Sequence, residues 1–155
     1  MTLTKQKQLE YGEEVIVLSS NVVNSTITMA DITDLTMNLG LWWYRVEFTP
    51  FYNVNATTTG TGWNFWSWTA VITNYSFRST LSSTATATFV NNYVSPTQDF
   101  TTTQTSRVND NRGTIIAEFQ VTTAWTLIPR FRSEIAVLNG VTLKAWSYIT
   151  YRKIM

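Results

Sequence analysis

The feature that most constrains this chain is a period of two. Between residues 42 and 49, Trp42, Tyr44, Val46 and Phe48 alternate with Trp43, Arg45, Glu47 and Thr49. Successive strand side chains point to opposite faces, so the spacing predicts a strand with one buried side. The rhythm returns over residues 114–121, where Ile115, Ala117, Phe119 and Val121 share a face. It returns again over residues 125–135, where Leu127, Phe131 and Ile135 oppose Arg130, Arg132 and Glu134. Further strands are expected over 13–18, around Ile27–Met29 and Leu35–Leu39, and over 63–72, 75–77, 84–90 and 141–151. Pro50 falls where a missing donor does least harm. Asn38-Leu39-Gly40 and Asn139-Gly140 read as turns. No 3.6-residue periodicity follows a helix cap anywhere, and no repeat is present.

About eight to ten short strands separated by turn residues predict an all-β, two-sheet antiparallel sandwich or barrel. Residues 1–13 are polar and read as an arm, flexible or docked on a neighbour. Residues 14–155 read as a single β-sandwich domain. Residues 53–62 are expected to be a loop or weak edge. Residues 91–111, polar and Thr-rich, are expected to be the longest irregular segment.

Composition narrows the function. Charged residues make up 14% of the 155, against roughly 25% in an ordinary soluble domain, so the surface is built from Thr, Ser and Asn. Net charge is +1 and the basic residues are scattered, which argues against nucleic acid as a partner. No apolar run is long enough to span a membrane, and the first ten residues lack the apolar core of a secretory signal. Histidine and cysteine are absent, which removes the commonest general base, triads and thiol chemistry. A glycosidase needs only two carboxylates about 5–9 Å apart. None of Asp31, Asp34, Glu47, Asp99, Asp110, Glu118 or Glu134 sits in a recognisable catalytic setting. Asp31 and Asp34 read as turn formers, and nothing specifies the oxygens a Ca²⁺ ion would need around them or Asp110. Gly60-Thr-Gly62 lacks the helix of a phosphate loop. The expectation is a protein that is not an enzyme and has neither cofactor nor metal.

Several segments carry a resemblance. They are Asn24-Ser-Thr-Ile-Thr-Met-Ala-Asp-Ile-Thr-Asp-Leu35, Trp43-Tyr-Arg-Val-Glu-Phe48 with Ala56-Thr-Thr-Thr-Gly60, and Ile115-Ile-Ala-Glu-Phe119 with Leu127-Ile-Pro-Arg-Phe-Arg-Ser-Glu134. The last is Val141-Thr-Leu-Lys-Ala-Trp-Ser-Tyr148, ending in Tyr151-Arg-Lys-Ile154. Together they resemble small bacteriophage virion proteins with a tumour-necrosis-factor-like jelly roll, over most of residues 22–154. The resemblance implies a homotrimer around a threefold axis, assembled in the host cytoplasm into a virion with other capsid or tail proteins. Members serve as capsid decorations, head fibres, tail components or receptor-binding tips. Trp146 departs from the pattern, standing where Ala-Gly-Ser is expected.

The aromatic surplus supplies the candidate sites. Trp63, Trp66 and Trp68 put rings on both faces of one strand; one face can be core, while the other needs a subunit or a ligand. Candidate interface residues are Trp43, Trp66, Trp68, Trp146, Tyr148 and Tyr151. Candidate contacts to host-surface carbohydrate, the alternative function, are Tyr52, Trp63 and Tyr93. The Arg130, Arg132, Glu134 stripe is expected to pair along its own strand on the surface, or to bind an anion at the threefold axis.

Overall fold

The computed structural model describes residues 7–8, 12–66, 72–82, 88–93, 99–102, 105 and 107–154. Its strands, in chain order, begin with β1 (Lys7–Gln8), β2 (Glu14–Val17), β3 (Val22–Asn24), β4 (Ala30–Asp31) and β5 (Met37–Leu39). Next come β6 (Trp42–Thr49), β7 (Phe51–Val54), β8 (Thr61–Trp66), β9 (Ile72–Ser82) and β10 (Thr88–Tyr93). The chain ends with β11 (Phe100–Thr102), β12 (Asn111–Val121), β13 (Trp125–Ser133), β14 (Val141–Leu143) and β15 (Tyr148–Lys153). A single 3-10 turn, Thr33–Leu35, precedes β5.

Two antiparallel sheets pack face to face as a jelly-roll sandwich. The larger runs β1-β2-β15-β6-β12, then branches to β9-β10 on one side and to β7-β14-β3 on the other. The smaller runs β11-β8-β13-β4, with β5 also against β13. The expected alternation is present: Tyr44, Val46 and Phe48 are buried on β6, and Ile115, Ala117, Phe119 and Val121 on β12. Ile135 departs from its expected place, because β13 ends at Ser133 and Ile135 lies exposed in the following turn. Lys7–Gln8, inside the expected arm, pairs with β2 of the same chain. Within 91–111 the described residues include strand: β10 runs to Tyr93 and β11 spans Phe100–Thr102. Phe100 is buried on β11, which pairs with β8, and the Thr105 N–H donates to the Thr57 carbonyl.

A chain of aromatic rings runs through the core. The Trp63 ring stacks on Phe131 at 5.7 Å and lies 5.2 Å from Tyr52 and 5.9 Å from Phe48. Phe48, Phe65, Phe77 and Phe119 carry the contact on to Tyr44. Each such pair adds about 0.5–1.5 kcal/mol to area burial. The polar ends are met inside: the Trp63 indole N–H donates to Thr61 Oγ1 at 2.8 Å. Pro50 sits between β6 and β7, and the two form one continuous partner for β12. Phe48 faces Ile115 and Phe51 faces Arg112, with the Gly113 N–H donating to the Pro50 carbonyl at 3.0 Å. Gly113 has no room for a side chain, since a Cβ there would meet Leu81 at 2.6 Å.

Burial pushes the Tyr52 phenol far above its ordinary value of 10.0, and its hydrogen bond with Thr61 offsets only part of that. Native Tyr52 therefore keeps its proton at a pH where the unfolded chain releases it. The stability this gives is complete below pH 10 and is lost as pH rises toward the native value. Above about pH 10, denaturant-measured stability should fall by about 1.4 kcal/mol per pH unit through this residue. Tyr52→Phe should remove that part of the slope; an unchanged slope would show that the hydroxyl titrates as if in water.

Candidate functional site

The sequence suggests one closing strand over 141–151, but the structure breaks it. Leu143 faces Tyr52 and Tyr148 faces Thr49, both on the β6–β7 side. Five steps of chain on one side match three on the other, so two residues are extruded between Lys144 and Ser147. Opposite them, Leu18 to Asn21 follow the same path: Leu18 exchanges hydrogen bonds with Trp146 and Ser147, and the Ala145 N–H donates to Asn21 Oδ1 at 2.8 Å. Ser147 is fully buried and repairs the ladder at this corner. Its hydroxyl accepts from the Phe51 N–H at 3.0 Å and donates to the Phe51 carbonyl at 3.2 Å.

The extruded turn carries Trp146. Its φ is 78°, and the Ser147 N–H donates to the Lys144 carbonyl across the turn. This is the third position of a type II turn, where glycine normally stands because a Cβ is strained there. The other described non-glycine residues at positive φ are Asn74, Asp110 and Asn139, types that tolerate the region. Trp146 is the exception, and its side chain is 77% exposed. The departure from Ala-Gly-Ser in the sequence is thus a backbone-strained indole held out in solvent.

The remaining candidates separate. Tyr148 is half-buried on β15 next to this turn, its ring 6.4 Å from that of Phe51. Trp43 lies at the opposite end of the sheet, beside Leu41, Trp42 and Val121 in a groove of about 450 Å³. Tyr151 is corrected as an interface residue: its ring is in the core and its hydroxyl donates to the Glu14 carboxylate. Tyr52 and Trp63 are corrected as carbohydrate contacts, because both are fully buried between the sheets and no sugar can reach them. Tyr93 pairs through its backbone with Phe77. The Tyr93 and Trp66 side chains, and all of Trp68, lie outside the described residues.

The charged stripe pairs across strands rather than along its own. Arg130 meets Asp31 at 2.6 Å and Arg132 meets Asp99 at 3.3 Å, while Asn64 Nδ2 also donates to Asp99. Partly exposed pairs of this kind are worth about 0–1 kcal/mol each. Among the described residues no three acidic side chains converge as a metal site would require.

Sequence reasoning missed a cluster at the Trp43 end. On the inner face of the larger sheet, Ile16, Ile149 and Phe48 form one row of the core, and one strand step nearer this end stand Glu14, Tyr151 and Val46. The next step brings Lys153 and Tyr44, and Trp42 follows on β6, with Lys153 Nζ 5.3 Å from the centre of the Trp42 ring. The Tyr44 hydroxyl accepts from the Gly40 N–H at 3.1 Å. Burial first, opposed by that bond and reinforced by the Glu14 charge, raises the Tyr44 pKa and keeps the phenol neutral. Glu14, Tyr44, Tyr151 and Lys153 enclose a cleft of about 440 Å³ with Gly12, Asn38, Gly40 and Arg152. Their separation along the chain leaves no local motif to find.

Substitution can separate strain from packing at Trp146. Trp146→Gly and Trp146→Ala both remove the indole, and only glycine relaxes the backbone. Trp146→Gly should therefore be more stable than Trp146→Ala by about 1 kcal/mol in equilibrium denaturation. Equal stability would mean the turn re-forms with negative φ once the ring is gone.

No protein-family model matches the chain, and no curated protein matches it.

Proposed function

We propose that the chain is a structural subunit of a bacteriophage particle, a capsid decoration, head-fibre or tail component that assembles as a homotrimer with other virion proteins. The observation that carries this reading is Trp146. A bulky ring at positive φ costs about 1–2 kcal/mol, and exposure to water returns none of it. Burial against a partner does, at about 25 cal/mol per Å² of apolar surface. The same β3–β14 edge carries other exposed apolar side chains: Val23 on β3, Ile27 beyond it, and Leu138 before β14, 79% exposed. An open sheet edge flanked by apolar residues supports association. The jelly-roll sandwich and the low surface charge fit dense packing on a particle, and the segment resemblances point to the same class.

Light scattering of the purified chain tests the reading. A trimer of 17.7 kDa chains has a mass of about 53 kDa. Trp146→Ala should shift the population to monomer at micromolar concentration with the fold retained by circular dichroism. A wild-type monomer at millimolar concentration would overturn the trimer, and an oligomer indifferent to Trp146→Ala would move its interface elsewhere.

A further inference from the structure

We propose that the Trp42 end of the sandwich is a binding cleft for carbohydrate. The proposal stands apart from the assembly reading, because Trp146 and Trp42 are separated by the length of β15, about 17 Å of strand.

The first argument is the change of residue type along the inner face. The deep core positions on β2, β15 and β6 are Ile16, Ile149, Val46 and Phe48. Toward the Trp42 end the inward positions of the same strands become Glu14, the buried phenols Tyr151 and Tyr44, then Lys153 and the exposed Trp42. Here two phenols, a carboxylate, the Lys153 ammonium and the Arg152 guanidinium line one cleft, with the Trp42 indole beside Lys153.

The second argument is the chemistry of that set. A sugar ring offers adjacent hydroxyls, which donate and accept, and a flat face of C–H groups. The Tyr151 hydroxyl occupies one oxygen of the Glu14 carboxylate. A carboxylate has about four acceptor sites, so it retains capacity for a pair of sugar hydroxyls. Asn38 is exposed at the rim and supplies an amide that both donates and accepts. Trp42 is 47% exposed and is steadied by Lys153, giving an apolar ring surface beside the polar groups.

The third argument is size. The cleft of about 440 Å³ lies in the range of small-molecule sites. Trp42, packed on Lys153 of that cleft, borders the separate groove of about 450 Å³ toward Trp43 and Val121. A ligand crossing the Trp42 ridge would thus touch both, which suits an oligosaccharide better than a single sugar. The charges of the cleft are mixed, with Glu14 set against Lys153 and Arg152.

The intact chain can be screened by ligand-observed NMR against glucose, galactose, N-acetylglucosamine, N-acetylgalactosamine and oligosaccharides of each. At least one should bind. Trp42→Ala and Asn38→Ala, both at exposed positions, should each weaken it by about tenfold while the melting transition is kept. Val108→Ser, at an exposed position before the far end of β12, should leave binding unchanged. Failure of every sugar to bind at millimolar concentration would overturn the proposal. So would a bound sugar whose affinity is indifferent to both Trp42→Ala and Asn38→Ala.

Discussion

The fold rests on the aromatic layer between the sheets, with Trp63 at its centre. Its ring touches Phe131 within its own sheet and Phe48 and Tyr52 across the gap. A ring contact across the gap fixes sheet spacing and register together, because rings accept only a few relative orientations. Two of the polar atoms in this layer are satisfied locally, the Trp63 indole N–H by Thr61 and the Tyr44 hydroxyl by Gly40. With neither disulfides nor a metal cluster among the described residues, this layer and the ladders around it hold the sandwich together.

Closing the larger sheet around that layer creates a mismatch. The β6–β7 strand passes straight through Pro50, but its neighbours β14 and β15 are two residues too long to follow it. The surplus is thrown outward as the turn carrying Trp146. Ser147 then takes the place of the lost ladder bonds at Phe51. A glycine at position 146 would allow the same turn without strain. Its replacement by tryptophan puts the largest side chain where the backbone tolerates it least and water surrounds it most. That combination is the physical case for a partner at this end.

At the other end the inner face opens instead of closing. Glu14 and Tyr151 are 137 residues apart in the chain, yet directly opposed across β2 and β15. The two ends therefore differ in chemistry: one presents an apolar projection at a sheet edge, the other a polar cleft with an indole at its rim. A sandwich permits this division because its strands run from one end to the other and expose different residues at each.

Alternation alone placed β6, β12 and most of β13, since a strand buried on one face must repeat every two residues. The segment resemblance, not alternation, marked Trp146 as out of place. Alternation could not tell a ring in the core from a ring on the surface. Tyr52 and Trp63 are as aromatic as Trp42 and Trp146, and only the partner sheet decides which are covered. The pairing of Arg130 and Arg132 with Asp31 and Asp99 was hidden for the same reason: strand neighbours are set by register, not by distance along the chain. The sequence by itself determined an all-β chain with its inward-facing residues, because the period of two is a local property of the backbone. The register slip at Trp146, the pairing of Phe100–Thr102 with β8 and the Glu14 cleft were decided by tertiary structure, because each depends on which strands meet and how many residues each has to spare.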